Sequence, residues 1–307
     1  MDVVTDPRCL LHDVPLGFPE QPSRLATILA GLRGRGRSIT EPGAHEASRA
    51  LVEQVHSAAY VSRFHAAVER GDGLFDSADN PLVATTWDAA WGAVDATLHA
   101  ADRALAGTAV FAAVRPPGHH AEKQLAMGFC WFNNAAVAAE RLRAQGLARV
   151  AIFDFDVHHG NGTQHIFEER ADVFYASTHQ YPFYPGTGAA SERGYGEGLG
   201  ATLNVPLRAG CDDGEYAQAI EGVVLPALRA FAPQALVVSA GFDAWQNDPL
   251  GGMRVSEEGF AQWGRWLGQL AREACGGRLV ALLEGGYDVP SLPRLVEAFL
   301  AGVEADV

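Results

Sequence analysis

The stretch RVAIFDFDVHHGNG, running from Arg149 to Gly162, carries the reading of the whole chain. Residues 149–155 are almost continuously apolar, the pattern of a strand buried on both faces, as in a parallel sheet covered by helices on each side. The run then breaks into acids, imidazoles and a Gly-Asn-Gly turn. Working outward, comparable runs occur at 108–114 (TAVFAAV), 172–177 (DVFYAS), 235–239 (ALVVS) and 278–283 (RLVALL). Stretches rich in Ala, Leu, Glu and Arg predict helices at 87–106, 133–145, 213–231 and 256–275. Strand followed by helix, repeated, predicts an α/β fold: a single open, mostly parallel sheet with helices on both faces. No repeat, low-complexity tract or long Ser/Pro linker divides the chain, so one domain over residues 1–307 is expected. Each apolar run leads into a Gly- or Pro-marked turn carrying His, Asp or Tyr: RPPGHH, DVHHGNG, THQYPFYPGTG, AGFD and EGGYD. Ligands of open parallel sheets bind outside the carboxyl ends of the strands, so the active site is expected there.

Composition narrows the function. Hydrophobic residues make up 48% and charged residues 20% of the chain, the balance of a soluble protein with a sizeable core. No apolar run approaches the ~18 residues of a membrane span. The opening MDVVTDPRCL lacks the basic-then-apolar order of a secretory leader, which makes the cytoplasm the expected location. Thirty-seven acidic residues against 23 basic ones give a formal charge of −14, with no Lys/Arg cluster to release counterions from phosphates. Nucleic acid is therefore not an expected partner. The acidity is compatible with a cationic substrate, but more commonly it serves solubility. Cys9, Cys130, Cys211 and Cys275 lie far apart with no C-x-x-C pair, which excludes a disulfide framework or a structural zinc knot.

The chemistry concentrates in three places. In Asp154-Phe155-Asp156-Val157-His158, strand alternation directs Asp154, Asp156 and His158 toward one face. Two buried carboxylates side by side need compensating cations or hydrogen bonds, and a divalent metal supplies such compensation. Asp156 and His158 with Asp243, beyond the run ending at Ser239, make a three-ligand site that leaves a position for water. Mixed oxygen and nitrogen ligands favour Zn²⁺, with Fe²⁺ or Co²⁺ able to occupy the same site. In Arg115-Pro-Pro-Gly118-His119-His120, a stiff and then sharply bent backbone presents two imidazoles in fixed directions, as acid–base catalysis requires. In Glu284-Gly285-Gly286-Tyr287, paired glycines let the backbone approach a ligand and position a phenol. A serine nucleophile is disfavoured because no G-x-S-x-G occurs. Cys130, among Phe129, Trp131 and Phe132, reads as an inert buried thiol.

Taken in order, RPPGHH, GFCWFNNAAVAA, DFDVHHGNGTQ, FYPGTG, SAGFDAWQNDPLGG and LEGGYD resemble the zinc-dependent histone deacetylase superfamily. The likeness is greatest to its class II branch and to bacterial amidohydrolases, including acetylpolyamine amidohydrolases. The resemblance spans nearly the whole chain and implies an arginase-like α/β fold with Zn²⁺ held by Asp156, His158 and Asp243. It implies that Asp154 orients and charge-tunes His119, and that His120, paired with Asn161, is the main general base and then general acid. It implies that Tyr287 polarises the substrate carbonyl, that Phe129 and Tyr184 wall an acyl-lysine channel, and that Asp79 holds the substrate backbone. It further implies a K⁺ ion at Asp154, Ser177 and the carbonyls of Asp156, His158 and Thr178.

The chain also departs from the family pattern. Phe18 stands before Pro19-Glu20 where histidine is usual, and Asn247 stands where glycine is common. Leu250 occupies a position that is acidic in polyamine-selective relatives, which directs the expectation toward acyl-lysine in proteins or peptides. An acetylpolyamine or another small acylated amine is the alternative. A catalytically silent metal-binding interaction protein on the same fold is a reading of another class, opposed by the retained ligands, histidines and tyrosine. A binuclear manganese ureohydrolase would need a second D-x-D strand end, and residues 239–243 supply one Asp. A monomer or a homo-oligomer would suit the compact length.

Overall fold

The computed structural model describes residues 1–305; residues 306 and 307 of the expected 1–307 unit lie outside the described residues. In chain order the elements are β1 (Asp2–Val4), α1 (Pro22–Gly34), β2 (Ile39–Thr40), α2 (Ser48–Val55), α3 (Ala58–Arg70), β3 (Leu74–Phe75), β4 (Ser77–Pro81), α4 (Thr86–Ala104), β5 (Ala109–Ala112) and α5 (Asn134–Ala144). There follow β6 (Val150–Asp154), α6 (Asn161–Phe167), β7 (Val173–Gln180), β8 (Thr202–Leu207), α7 (Asp213–Ala219), α8 (Leu225–Phe231), β9 (Ala235–Ala240), α9 (Glu257–Ala274), β10 (Leu279–Leu283) and α10 (Leu292–Glu304).

Eight strands form one open sheet in the order β2-β1-β5-β10-β9-β6-β7-β8, and every pairing in it is parallel. The central strands β6, β7, β9 and β10 are buried at every position, which is why their sequences run apolar without alternation. Helices α4 and α5 pack on one side of the sheet and α9 and α10 on the other. Just past β6, Phe155 sits among Phe242, Phe260, Trp263 and Phe299, joining the strand end to the α9–α10 layer. Among the described residues no helix is long and apolar enough to cross a membrane.

The helix expected over residues 213–231 is interrupted. A π-helical turn at Ile220–Val224 joins α7 to α8, and Pro226 stands just inside α8. Proline has no N–H to donate and its ring collides with the carbonyl four residues back, so the chain widens there instead of continuing as a regular α-helix. The strands expected at 108–114, 149–155, 172–177, 235–239 and 278–283 are β5, β6, β7, β9 and β10, and their carboxyl ends share one edge of the sheet.

Candidate active site

Beyond Asp154 the ladder of β6 ends, and each acid clasps the backbone two residues on. Asp154 Oδ1 accepts from Asp156 N (3.1 Å) and Asp156 Oδ1 from His158 N (2.9 Å). These turns fix Asp156 and His158 in direction. Asp243, beyond β9, accepts from Val157 N through Oδ1 (2.9 Å) and turns Oδ2 toward His158 Nδ1 (3.1 Å). The same ring nitrogen lies 3.0 Å from Asp156 Oδ1. Donor atoms of Asp156, His158 and Asp243 all fall within 4.8 Å of one another, a group that could hold a metal ion.

The electrostatics fit such an ion. Burial, and then the adjoining Asp156 charge, push the Asp243 carboxyl up to about 7. Burial pulls His158 down, but hydrogen bonds to Asp156 and Asp243 outweigh it and carry the imidazole up to about 10. The trio calls for positive charge at its centre, and a divalent cation on two carboxylate oxygens and one imidazole nitrogen supplies it. Gly285 closes around the acids: its N–H donates to Asp156 Oδ2 (2.8 Å). A Cβ at Gly285 would collide with Asp243 Oδ2 and stand 2.6 Å from Asp156 Oδ2. Gly285→Ala is therefore expected to weaken metal binding by about 10- to 100-fold, as other losses of support around metal ligands do. Competition against a chelating dye measures this; unchanged affinity in a folded variant would mean that the acids do not hold the ion.

The two histidines follow β5. Glu284, immediately after β10, is fully buried and pins their turn. Its Oε2 accepts from Gly118 N (2.7 Å) and His119 N (3.2 Å), and its Oε1 accepts from Ser239 Oγ (3.1 Å). His119 Nδ1 lies 3.0 Å from Asp154 Oδ2, and His120 Nδ1 lies 2.7 Å from Asn161 Oδ1 at the start of α6. Burial opposes charge on both rings. At His119 the carboxylates of Asp154, Asp156 and Glu284 win and raise it to about 10. At His120 burial prevails, helped by His119 and His158, and holds the ring well below its usual 6.5. The surroundings thus push adjacent imidazoles in opposite directions, His119 toward the charged form and His120 toward the neutral one, the kind of difference that separates roles in acid–base work.

Tyr287 is held from several directions. Its N–H donates to Asp248 Oδ2 (2.6 Å), and the Arg24 guanidinium carbon lies 4.9 Å from its ring centroid. Arg24 also donates to the carbonyls of Gly286 (2.5 Å) and Glu284 (2.6 Å). Glu20 bridges Arg24 (3.0 Å) and Arg115 (2.7 Å), all three being buried. Burial lifts the Tyr287 phenol well above its usual value despite Arg24, so it keeps a hydrogen to donate.

A cleft of about 200 Å³ is lined by His120, His158 and Tyr287 together with Phe129, Phe183, Tyr184 and Leu250. Phe183 stacks on the His158 ring at 5.2 Å and 16°. Asp79 also lines the cleft, and its Oδ2 accepts from Gly128 N (3.1 Å) and Tyr184 Oη (2.8 Å). Phe129 adopts φ 67°, and its N–H donates to Asn80 Oδ1 (3.1 Å). A Cβ at Gly128 would collide with the His120 ring, so only glycine lets this loop come so close. Ser177 Oγ lies 2.8 Å from His179 Nδ1, and the buried Thr178 hydroxyl has no hydrogen-bond partner among the described residues. Cys130 is fully buried and its thiol is pushed well above its usual value by that burial, consistent with an inert role.

The structure thus brings Asp79, His119, His120, Phe129, Asp154, Asp156, His158, Asn161, Tyr184, Asp243, Leu250 and Tyr287 to one end of the sheet. The structure adds Glu20, Arg24, Phe183, Asp248 and Glu284 to the residues that the sequence motifs point to. Glu284 carries a readable signal, an acid ending an apolar strand as Asp154 does. The Arg24–Glu20–Arg115 cluster joins segments as much as 95 residues apart, and no local pattern reveals it.

Comparison with known proteins agrees with this geometry. The family model described as the histone deacetylase domain matches residues 18–303. The histone deacetylase-like amidohydrolase of Pseudomonas aeruginosa is 40% identical over 298 residues, covering 94% of this chain and 77% of the relative. A protein named probable deacetylase in Archaeoglobus fulgidus is 38% identical over 288 residues, covering 91% and 79%. The crystal structure of acetylpolyamine aminohydrolase from Burkholderia pseudomallei superposes with a TM-score of 0.87 at 34% identity, covering 99% of each chain. Family match, relatives and strand-end site agree: this chain belongs to the histone deacetylase domain family and is a hydrolase of amide bonds.

Proposed function

We propose that the chain deacylates N-acetyl-lysine in protein or peptide substrates, working as one catalytic unit over residues 1–307. The observation that carries this reading is the apolar, aromatic-walled cleft that meets His120, His158 and Tyr287. A neutral acylated-lysine stem suits walls of Phe129, Phe183, Tyr184 and Leu250, which keep water from the amide. Asp156, His158 and Asp243 would hold one Zn²⁺, which when bound supplies Lewis acidity to the acyl carbonyl and to the attacking water. His120, neutral and fixed through Nδ1, takes the water's proton on Nε2 and delivers it to the departing amine nitrogen. Tyr287 donates its hydroxyl hydrogen to the oxyanion as the carbonyl carbon becomes tetrahedral. Asp154 keeps His119 cationic beside the acids. Asp154 and Ser177, with the carbonyls of Asp156, His158 and Thr178, offer the hard oxygen donors that K⁺ prefers.

A second reading, deacetylation of acetylated polyamines, is favoured by the near-complete superposition on an acetylpolyamine aminohydrolase. Leu250 separates the two. An apolar side chain on the cleft offers nothing to a second ammonium, whereas a carboxylate there would attract one by about 1 kcal/mol. The test compares kcat/KM on matched acetyl-lysine peptides and acetylated polyamines. The expected result is turnover of peptide, with Leu250→Glu shifting the ratio about fivefold toward polyamine. Turnover of polyamine alone would replace the first reading with the second. A catalytically silent protein is disfavoured by the assembled histidines, tyrosine and ligands, and a binuclear centre by the one group of metal-capable donors among the described residues.

A further inference from the structure

We propose that Glu122 is a positioning residue that sets the tautomer of His120. The inference rests on the deacylase reading only for its consequence in turnover. Asn161 stands between the two: its Oδ1 faces His120 Nδ1 at 2.7 Å, and its Nδ2 donates to Glu122 Oε1 at 2.6 Å. The oxygen and nitrogen ends of an asparagine amide are almost the same size, so shape alone does not decide which end meets the imidazole. Hydrogen-bond chemistry decides it. An ionised carboxylate has no hydrogen to give, so Asn161 must turn its NH₂ toward Glu122. The other neighbour of Nδ2, Met127 Sδ at 3.4 Å, is also only an acceptor. With NH₂ committed on that side, Oδ1 faces the ring and accepts, so the ring hydrogen resides on Nδ1. Nε2 is left with a lone pair, the form a general base requires.

Glu122 is itself anchored at both levels. Its main-chain carbonyl lies 2.9 Å from Nδ1 of the buried His56, whose Nε2 accepts from Asn133 N (2.9 Å). Its carboxylate lies 2.9 Å from His165 Nδ1 on α6, the helix that begins with Asn161. Burial favours the protonated acid, but the hydrogen bonds from His165 and Asn161 outweigh it and keep the carboxylate ionised. The line His120–Asn161–Glu122–His165 therefore runs from the cleft to a partly exposed imidazole. Every member faces its neighbour with a matching donor or acceptor.

The test reverses the polarity of the line. Glu122→Lys presents only donors, so Asn161 must offer Oδ1 to it and NH₂ to His120, moving the ring hydrogen to Nε2. The expected kinetic result is a loss of about 30-fold in kcat with KM within threefold. Glu122→Gln keeps an acceptor oxygen in place and is expected to stay within threefold of the parent. The double variant Glu122→Lys with Asn161→Asp restores an acceptor facing both Lys and His120, and is expected to recover at least tenfold over the Lys variant. A lesion that merely loosened the loop would not be repaired by Asn161→Asp. Imidazole ¹⁵N spectra, with His120 assigned by His120→Asn, read the tautomer without turnover: Nδ1–H in the parent and Nε2–H in Glu122→Lys. Nε2–H in the parent, a Lys variant within threefold of the parent, or a double variant no faster than the Lys variant would each overturn the assignment. Nδ1–H in a parent that cleaves no acylated amine would sustain the Glu122 assignment while removing the deacylase reading.

Discussion

His120→Ala is expected to lower kcat by about a thousandfold, within the range that positioned acid–base groups contribute. The His120 ring is neutral because burial and the neighbouring His119 and His158 oppose a charge on it. It is oriented because Nδ1 meets Asn161 Oδ1 at 2.7 Å. Removing it takes away the group proposed to accept the water's proton, and the other described side chains that line the cleft offer no second free imidazole, His158 being turned to the two acids. His119 is a poorer substitute, since the carboxylates of Asp154, Asp156 and Glu284 favour its charged form and its Nδ1 is engaged by Asp154. KM should move little if the acyl stem is held mainly by the walls of Phe129, Phe183, Tyr184 and Leu250. Steady-state kinetics with zinc content measured alongside separates this from metal loss. Equal zinc content and a rate within tenfold of the parent would place the base elsewhere.

Tyr287→Phe is expected to cost about 3 kcal/mol in kcat/KM, or about a hundredfold in rate, the usual consequence of removing one donor to an oxyanion. The ring would stay where it is, since Phe keeps the packing on Phe129 (centroids 6.0 Å apart) and the Arg24 guanidinium over its face. The lost atom is one hydroxyl, kept protonated by burial. The effect should fall on kcat more than on KM, because the carbonyl gains its negative charge on the way to the transition state. A loss confined to KM would make Tyr287 a wall of the cleft and not an oxyanion donor.

The parts of the fold that were legible are those in which one segment carries its own signal. Strands β6, β7, β9 and β10 announce themselves because burial on both faces forces continuous apolarity. Strand β1, with three residues, is too short to show a pattern. Strand β8 lies at the sheet edge, is only partly buried and contains Pro206, which a central strand would exclude. In α3, the spacing of Tyr60, Val61, Phe64 and Ala67 is a helical signal, although no strand-end motif draws attention to it. Pro226 marks the break between α7 and α8, but the π turn that absorbs it depends on tertiary packing.

The site divides the same way. Asp156 and His158 lie two residues apart on one strand end, and Asp243 sits just past another, so parallel-sheet topology was enough to gather them. The supports of Tyr287 were not legible. Arg24 reaches the Glu284 and Gly286 carbonyls across about 260 residues of chain, and Asp248 takes the Tyr287 N–H from a separate loop. Such contacts exist only once the sheet has brought its strand ends together. The role of Glu122 belongs to the same class, since it emerges from which end of Asn161 faces which neighbour.

An amide hydrolase that works through Asp156, His158 and Asp243 should release free amine from an N-acetyl-lysine peptide only while it holds its metal. The same protein sample would be assayed as loaded with zinc, after chelation, and after return of one equivalent of Zn²⁺ per chain. The expected result is turnover, its loss on chelation, and its return with that single equivalent. Release that persists unchanged after complete removal of the metal, or no release from either acetyl-lysine peptide or acetylated polyamine by the zinc-loaded chain, would contradict it.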